Sequence, residues 1–224
     1  MTENSILIHA HDAVPDTHYP AINCTIPSSS FICIKSRQLI ELDIYLQMLA
    51  KQHLPISGTI DYKDSLAIAY VDEKIQLISS LSGINNLQLA AEYHQFGNPE
   101  QISKRAQELL FRFNCLPVGK KLPAFMTNLE KLSLLIARAL MLEPDVLFIG
   151  KPFQGLNMQE HDILGDHLIS LVTDMNITVV SSDTTMAFTK KAAQQIIYCD
   201  DNAFYSYNHW NSFKKDLDRL FKSS

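Results

Sequence analysis

The sequence predicts an α/β protein built around a largely parallel sheet. Short runs rich in β-branched and aromatic residues alternate with segments of helical periodicity, and this alternation is typical of that fold class. The apolar run at 145–149 favours a central strand covered on both faces. The chain has 224 residues, of which 46% are apolar, so it is long enough to bury a sizeable core without disulfides or a structural metal.

In the first half of the chain, a strand is expected at 31–35 and a helix directly after it. Apolar residues recur at helical spacing through that helix, at Leu39, Leu42, Leu46 and Leu49. A second strand is expected at 59–62. Asn98 precedes Pro99, a pair that predicts a helix N-cap with proline in the first turn, so we expect a helix from there to about residue 114.

In the second half, helices and strands are expected to alternate. An apolar helix at 128–142 leads to the strand at 145–149. Asn157 and Glu160 have the spacing of a capping box, which predicts a helix that runs to about residue 173. The remaining predicted elements are a strand at 177–181, a helix capped by Asp183, a hairpin at 195–207 and a last helix that begins near Trp210.

The composition argues against several classes of function. A net charge of −5 is unsuited to electrostatic binding of nucleic acid, which needs a basic face. The four cysteines lie far apart without a C-x-x-C pair, and His9 and His11 have no third ligand nearby, so no metal site is expected. No basic region precedes the first apolar stretch, and the longest apolar stretch, 132–142, is too short to span a bilayer. We therefore expect a soluble chain.

One run of motifs identifies a family resemblance. Ala137-Arg-Ala-Leu140 is followed by Leu-Glu-Pro-Asp and an apolar strand at 142–149, then by Pro152-Phe153 and Gly155-Leu156. This order resembles the nucleotide-binding subunit of an ABC transporter, from the signature helix through the Walker B strand to the D-loop. The resemblance covers nearly the whole chain. The P-F-x-G motif is similar to that of the Mce-associated phospholipid-transport ATPases.

The resemblance implies a specific architecture. It implies an ABC-type P-loop NTPase-like core, with a mostly parallel sheet and an antiparallel β edge, plus a helical lobe. Residues 1–224 would form a single ABC-ATPase-like domain. Its α/β core would comprise 1–72 and 143–224, and its helical lobe 73–142.

The position that matches the family's Walker A loop lacks the residues that bind phosphate. The family's loop needs glycines whose backbone N–H groups converge on the phosphates, a lysine, and a hydroxyl for Mg²⁺. A gapless count back from Ser57-Gly58 places this loop at 36–44. The glycine positions are then Ser36, Leu39 and Glu41, the lysine position is Leu42, and the hydroxyl position is Asp43.

The other family motifs are changed as well. Walker B's aspartate and the catalytic glutamate correspond to Gly150 and Lys151, which removes the metal-side carboxylate and the water-activating base. The signature motif corresponds to 126–130, with Thr127 at its serine. The remaining positions are Glu73 for the metal-sensing glutamine, Asn157 for the D-loop aspartate and Ser182 for the switch histidine.

Taken together, these changes lead to a functional prediction. The resemblance implies a catalytically inactive ABC ATPase-like subunit, not an enzyme, without a bound cofactor, that acts as a structural or regulatory partner of a membrane transport complex. Two alternatives stay open. In the first alternative, the chain is a weak ATP-binding and ATP-hydrolysing subunit that a partner completes. In the second, it is a soluble module that binds another ligand in the emptied cleft.

The expected partners are a transmembrane subunit of the complex, a second ABC ATPase-like protomer, or both. This places the chain in the cytoplasm, on the inner face of the cytoplasmic membrane. By resemblance, the apolar segment 77–96 is where the membrane partner docks, although most of its side chains also suit the core of the helical lobe. The docking candidates are Leu77, Ile78, Leu81 and Tyr93. The last helix is expected to pack on the domain, with binding to anionic lipid as the alternative.

Overall fold

The computed structural model describes residues 5–37, 41–72, 74–182, 184–200 and 203–222, with side chains as far as residue 217. The strands are β1 (Ile6–Val14), β2 (Ile22–Pro27), β3 (Phe31–Ser36), β4 (Ser57–Tyr62), β5 (Ile68–Val71), β6 (Val146–Ile149), β7 (Thr178–Ser182), β8 (Gln195–Asp200) and β9 (Ala203–Tyr207). The α-helices are α1 (Asp43–Leu49), α2 (Gly83–Tyr93), α3 (Pro99–Arg112), α4 (Asn128–Leu140), α5 (Met158–Thr173), α6 (Met186–Ala192) and α7 (Trp210–Lys222). Short 3₁₀ helices span Leu116–Lys120 and Pro123–Phe125.

The chain divides into two compact units. The first comprises residues 1–70, 145–152 and 169–224, and the second comprises residues 71–144 and 153–168. The boundaries expected from the sequence, with a helical lobe at 73–142, stay a prediction. None of the helices in the described ranges has the length and hydropathy needed to cross a membrane.

A six-stranded sheet, in the order β5-β6-β7-β3-β8-β9, organises the first unit. β6 and β7, β7 and β3, and β3 and β8 run parallel, whereas β8 and β9 form an antiparallel hairpin at one edge. The residues of β6 and β7 are all buried, as expected for strands covered on both faces. The predicted α/β class, with a mostly parallel sheet and an antiparallel edge, is confirmed.

A second, antiparallel sheet in the order β2-β1-β4 completes the first unit. Its central strand β1 is irregular near Asp12, where the pairing with both neighbours shifts and the backbone has a φ of 47°. Gly58 faces this irregularity with a φ of 77°, and a Cβ there would lie 2.1 Å from the Asp12 carbonyl oxygen. A glycine is therefore required at this close approach.

Two apolar clusters lie among the described residues of the first unit. In the larger one, α1 contributes Tyr45, Leu46 and Leu49, which pack with buried residues of both sheets. In the smaller one, Phe213 of α7 is buried against Ile196 and Tyr198 of β8. The prediction that the last helix packs on the domain is supported by this contact, because Phe213 is buried against β8.

The second unit is helical, and local capping sets its helix starts. Asn98 caps α3 and Thr127 caps α4, each through a reciprocal capping box with the residue three positions later. α3 and α4 end at Arg112 and Leu140, two residues before the ends expected from the sequence. Such differences are typical of helix termini, which fray.

α6 begins later than the sequence suggested. Asp183, the expected N-cap, lies outside the described residues. The N-cap is Thr185, whose hydroxyl accepts a hydrogen bond from the Phe188 backbone N–H at 3.2 Å. Thr184, between the two, is buried, and its hydroxyl bonds to the Thr189 hydroxyl at 2.7 Å. This buried contact holds the segment outside the helix until Thr185.

Candidate functional site

The segment that matches the Walker A loop connects β3 to α1. Ser36 is the last residue of β3, and its hydroxyl donates to the Cys199 carbonyl at 3.5 Å. Leu39 lies outside the described residues. Glu41 is exposed, whereas Leu42, at the lysine position, occupies the N-cap of α1 and is fully buried in the core. The hydrocarbon side chain of Leu42 therefore serves packing and offers no charge to an anion.

Asp43, at the hydroxyl position, is the first residue of α1 and is 6% exposed. One carboxylate oxygen, Oδ1, accepts a hydrogen bond from the Ser182 hydroxyl at 2.7 Å. The other, Oδ2, lies 3.4 Å from the Lys151 Nζ. The first residue of α1 is thus bound to residues at and just beyond the carboxyl ends of β7 and β6. Three positions that the resemblance assigns to nucleotide chemistry contact one another directly.

Gly150 and Lys151 follow β6 and complete this contact. A Cβ on Gly150 would lie 2.9 Å from Asp43 Oδ1 and 3.1 Å from its Cγ, so the carboxylate fills the space beside this glycine. Lys151 has a φ of 43°, which turns the chain away from the strand direction, and its backbone N–H donates to the Ser182 hydroxyl at 3.1 Å. The Ser182 hydroxyl thus accepts from Lys151 and donates to Asp43.

The chemistry available at this position follows from its charges. A nearly buried carboxylate is stable only when it is paired and hydrogen-bonded, and here it has both an ammonium and a hydroxyl partner. Within the described ranges, no group of three or more His, Cys, Asp or Glu residues is placed to hold a metal ion. The Asp43 carboxylate, the Lys151 ammonium and the Ser182 hydroxyl form an internal ion pair with hydrogen-bond support.

Two further motif positions serve as helix caps. The Thr127 hydroxyl accepts from the Glu130 backbone N–H at 3.1 Å, and Glu130 also pairs with the Lys121 Nζ at 2.7 Å. Burial raises the pKa of Glu130, but the Lys121 ammonium and the Thr127 backbone N–H outweigh it and hold that pKa below its usual range. Asn157 forms a capping box with Glu160 at the start of α5. Glu73 lies outside the described residues.

The predicted docking residues differ in exposure. Tyr93 is 81% exposed and Ile78 is 41% exposed, whereas Leu77 and Leu81 are half-buried. The segment is held by the fully buried amide of Asn86. Its Oδ1 accepts from the Ile78 backbone N–H at 2.7 Å, and its Nδ2 donates to the carbonyls of Ile78, Leu81 and Ser82 at 3.0 to 3.1 Å.

Sequence reasoning missed two of these features. It did not single out Asn86. An asparagine among the apolar residues of this segment indicates a buried amide that bonds to the backbone. It also treated Asp43, Lys151 and Ser182 as separate losses. The opposite charges at two matched positions were the available signal for a contact between them.

The comparisons with known proteins identify the fold. No family model matches the chain. A structure of a metal-chelate type ABC transporter, in an inward-facing conformation, matches 97% of this chain and 90% of its own with a TM-score of 0.84 and 18% identity. The fold is that of the ABC-type ATPases. The predicted ABC-type P-loop core is therefore confirmed.

The sequence is also similar to curated ATP-binding proteins of transporters. The chain is 27% identical over 130 residues to the sulfate/thiosulfate import ATP-binding protein CysA of Nephroselmis olivacea. The matched stretch is 58% of this chain and 38% of that protein. The chain is 24% identical over 127 residues to the arginine transport ATP-binding protein ArtP of Escherichia coli K12, which covers 55% and 51%. These homologues are ATP-binding subunits of transporters, and the chain matches about half of their length or less.

The relatives overturn one prediction from the sequence. The residues at the motif positions led to the prediction that the chain is not an enzyme. That prediction is wrong, because the homologues are ATP-binding subunits of ABC transporters, a class of enzymes. The motif positions describe a small part of the chain, whereas the similarity extends over more than half of it.

Proposed function

We propose that this chain is an ABC ATPase-like subunit of a membrane transport complex, in which it has a structural or regulatory role. The single observation that carries the role is the contact of Asp43 with Lys151 and Ser182. In the resembling family these positions serve phosphate, metal and attacking water. Here they satisfy one another, so this part of the cleft contributes to the stability of the subunit itself.

The partners we propose are a transmembrane subunit of that complex, a second ABC ATPase-like protomer, or both. The chain would then work in the cytoplasm, on the inner face of the cytoplasmic membrane. Exposed Ile78 and Tyr93 support a docking surface, since an interface keeps a central apolar cluster that a partner covers. The P-F-x-G motif at 152–155 supports a phospholipid-transport complex of the Mce-associated type as the specific setting.

Co-purification from native membrane extract tests the docking surface. Tyr93→Asp or Ile78→Asp should abolish recovery of the membrane partner, while Tm stays within about 3 °C of the wild type, as expected for a surface change. Leu54→Asp is the matched control, because Leu54 is 85% exposed in the first unit and is not a docking candidate. Unchanged recovery with both docking variants, or equal loss with Leu54→Asp, would contradict this surface.

A second candidate function is favoured by the relatives. They are named as ATP-binding proteins, which supports a subunit that binds and hydrolyses ATP with groups supplied by its partner. The two candidates differ in where nucleotide binds. Photoaffinity labelling of the purified complex with an azido-ATP separates them: labelling of this chain in the complex, competed by ATP, supports the second candidate, and labelling of the partner alone supports the first.

A further inference from the structure

We propose that Asp43, Gly150, Lys151 and Ser182 form a latch, an intramolecular contact that fixes the start of α1 against the ends of β6 and β7 without any ligand. This inference goes beyond the proposed function, because it concerns the conformation of the first unit and needs neither a transport complex nor a nucleotide. All four residues lie within that unit, and none of them is shared with the proposed docking surface.

The latch rests on two hydrogen bonds and one ion pair. The Ser182 hydroxyl donates to Asp43 Oδ1 at 2.7 Å and accepts from the Lys151 backbone N–H at 3.1 Å. The Lys151 ammonium lies 3.4 Å from the second carboxylate oxygen. These contacts link three segments, namely α1, the turn after β6 and the end of β7, and each contact joins two of them. A movement of α1 away from the strand ends would leave a buried carboxylate without partners, which is costly.

Gly150 belongs to the latch because the Asp43 carboxylate occupies the space beside it. The three nearest atoms to a Cβ built on this residue all belong to the Asp43 carboxylate, at 2.9, 3.1 and 3.3 Å. A separation under 3.0 Å is one that real Cβ atoms essentially never show. A side chain at position 150 is thus excluded as long as Asp43 keeps its carboxylate in place. The Asp43 carboxylate therefore requires a glycine at position 150.

The same reasoning accounts for Lys151. Asp43 is nearly buried, and an uncompensated buried charge destabilises a fold far more than a paired one. A cation beside it is the simplest compensation, and Lys151 is close enough to supply it while part of its side chain reaches solvent. The latch uses the chain's own charges in place of a bound ligand, so the start of α1 is held without one.

A double-mutant cycle in thermal unfolding tests whether the Asp43 carboxylate is what requires a glycine at position 150. Gly150→Ala should lower Tm by about 3 to 10 °C in the wild-type background, since overpacking displaces the carboxylate. In the Asp43→Ser background the added methyl has room, and the same change should move Tm by less than about 2 °C. Gly119→Ala is the control: its Cβ would meet Leu110 Cδ1 at 2.9 Å in the second unit, so its effect should be equal in both backgrounds.

Each outcome decides the proposal. Folding of the double variant with a restored Tm supports the latch even if Gly150→Ala alone does not fold. Equal losses in both backgrounds, no loss in the wild type, or a double variant that does not fold would overturn it. Hydrogen exchange gives an independent reading: Asp43→Ser should speed exchange of the Tyr45 to Leu49 amides by about tenfold or more relative to α4, and unchanged exchange would overturn the proposed restraint on α1.

Discussion

Replacement of Asn86 by alanine is expected to loosen the segment that carries the docking candidates. The substitution removes the bond that Asn86 Oδ1 accepts from the Ile78 N–H and the two Nδ2 hydrogens that three backbone carbonyls share. A buried backbone group left without a partner costs about 1 to 3 kcal/mol, but Ile78 is partly exposed, so water can replace some of these bonds. We therefore expect a loss of about 2 to 4 kcal/mol in the free energy of unfolding.

Urea unfolding followed by circular dichroism measures this loss, and hydrogen exchange at the Ile78 amide measures the local effect. Asn85→Ala is the matched control, because Asn85 is the exposed neighbour on the same helix and should change the free energy of unfolding by less than about 0.5 kcal/mol. A loss below about 0.5 kcal/mol for Asn86→Ala, with unchanged protection of the Ile78 amide, would refute the role assigned to this side chain.

Three other predictions concern caps and titratable groups. Thr127→Ala should cost about 1 kcal/mol in urea unfolding, and Thr127→Ser should restore most of it; equal losses would contradict the cap. Lys121→Met should raise the pKa of Glu130 in an NMR titration. Because the folded-state pKa is depressed, the stability from Glu130 is present above its unfolded pKa and lost as pH falls through the folded value, so this variant should lose less stability on acidification than the wild type. Burial raises the pKa of Cys24 to about 12 and of Cys115 to about 11, so a thiol reagent at about pH 8 should label them only after unfolding; fast native labelling would contradict their burial.

Much of the fold could be predicted because its signals are local. The apolar run of β6 gave a buried strand, and Asn98-Pro99 and Asn157 with Glu160 gave helix starts that the structure confirms. The cap of α6 could not be predicted in this way. Two residues compete there, and the buried hydroxyl contact of Thr184 with Thr189, which keeps the start of the helix at Thr185, is visible only once the chain is folded.

The assignment of the candidate site residues to motif positions stays a prediction, and the contacts among these residues were not predicted. The gapless count placed Asp43, Lys151 and Ser182 at matched motif positions, and the structure brings these three together. Asp43 lies more than a hundred residues from both Lys151 and Ser182 along the chain, so no local pattern encodes its contacts with them. The inference from lost motifs to a chain that is not an enzyme failed for a related reason, because it judged single positions without the framework that the homologues share.

The proposal that the chain's own residues occupy the matched phosphate and metal position is tested most directly by calorimetric titration of the purified chain with Mg-ATP. Leu42 offers no charge, and the Asp43 carboxylate is already paired with Lys151. We predict no saturable heat of binding up to about 1 mM nucleotide. A saturable Kd below about 100 μM, which corresponds to roughly −5.5 kcal/mol, would contradict that occupation.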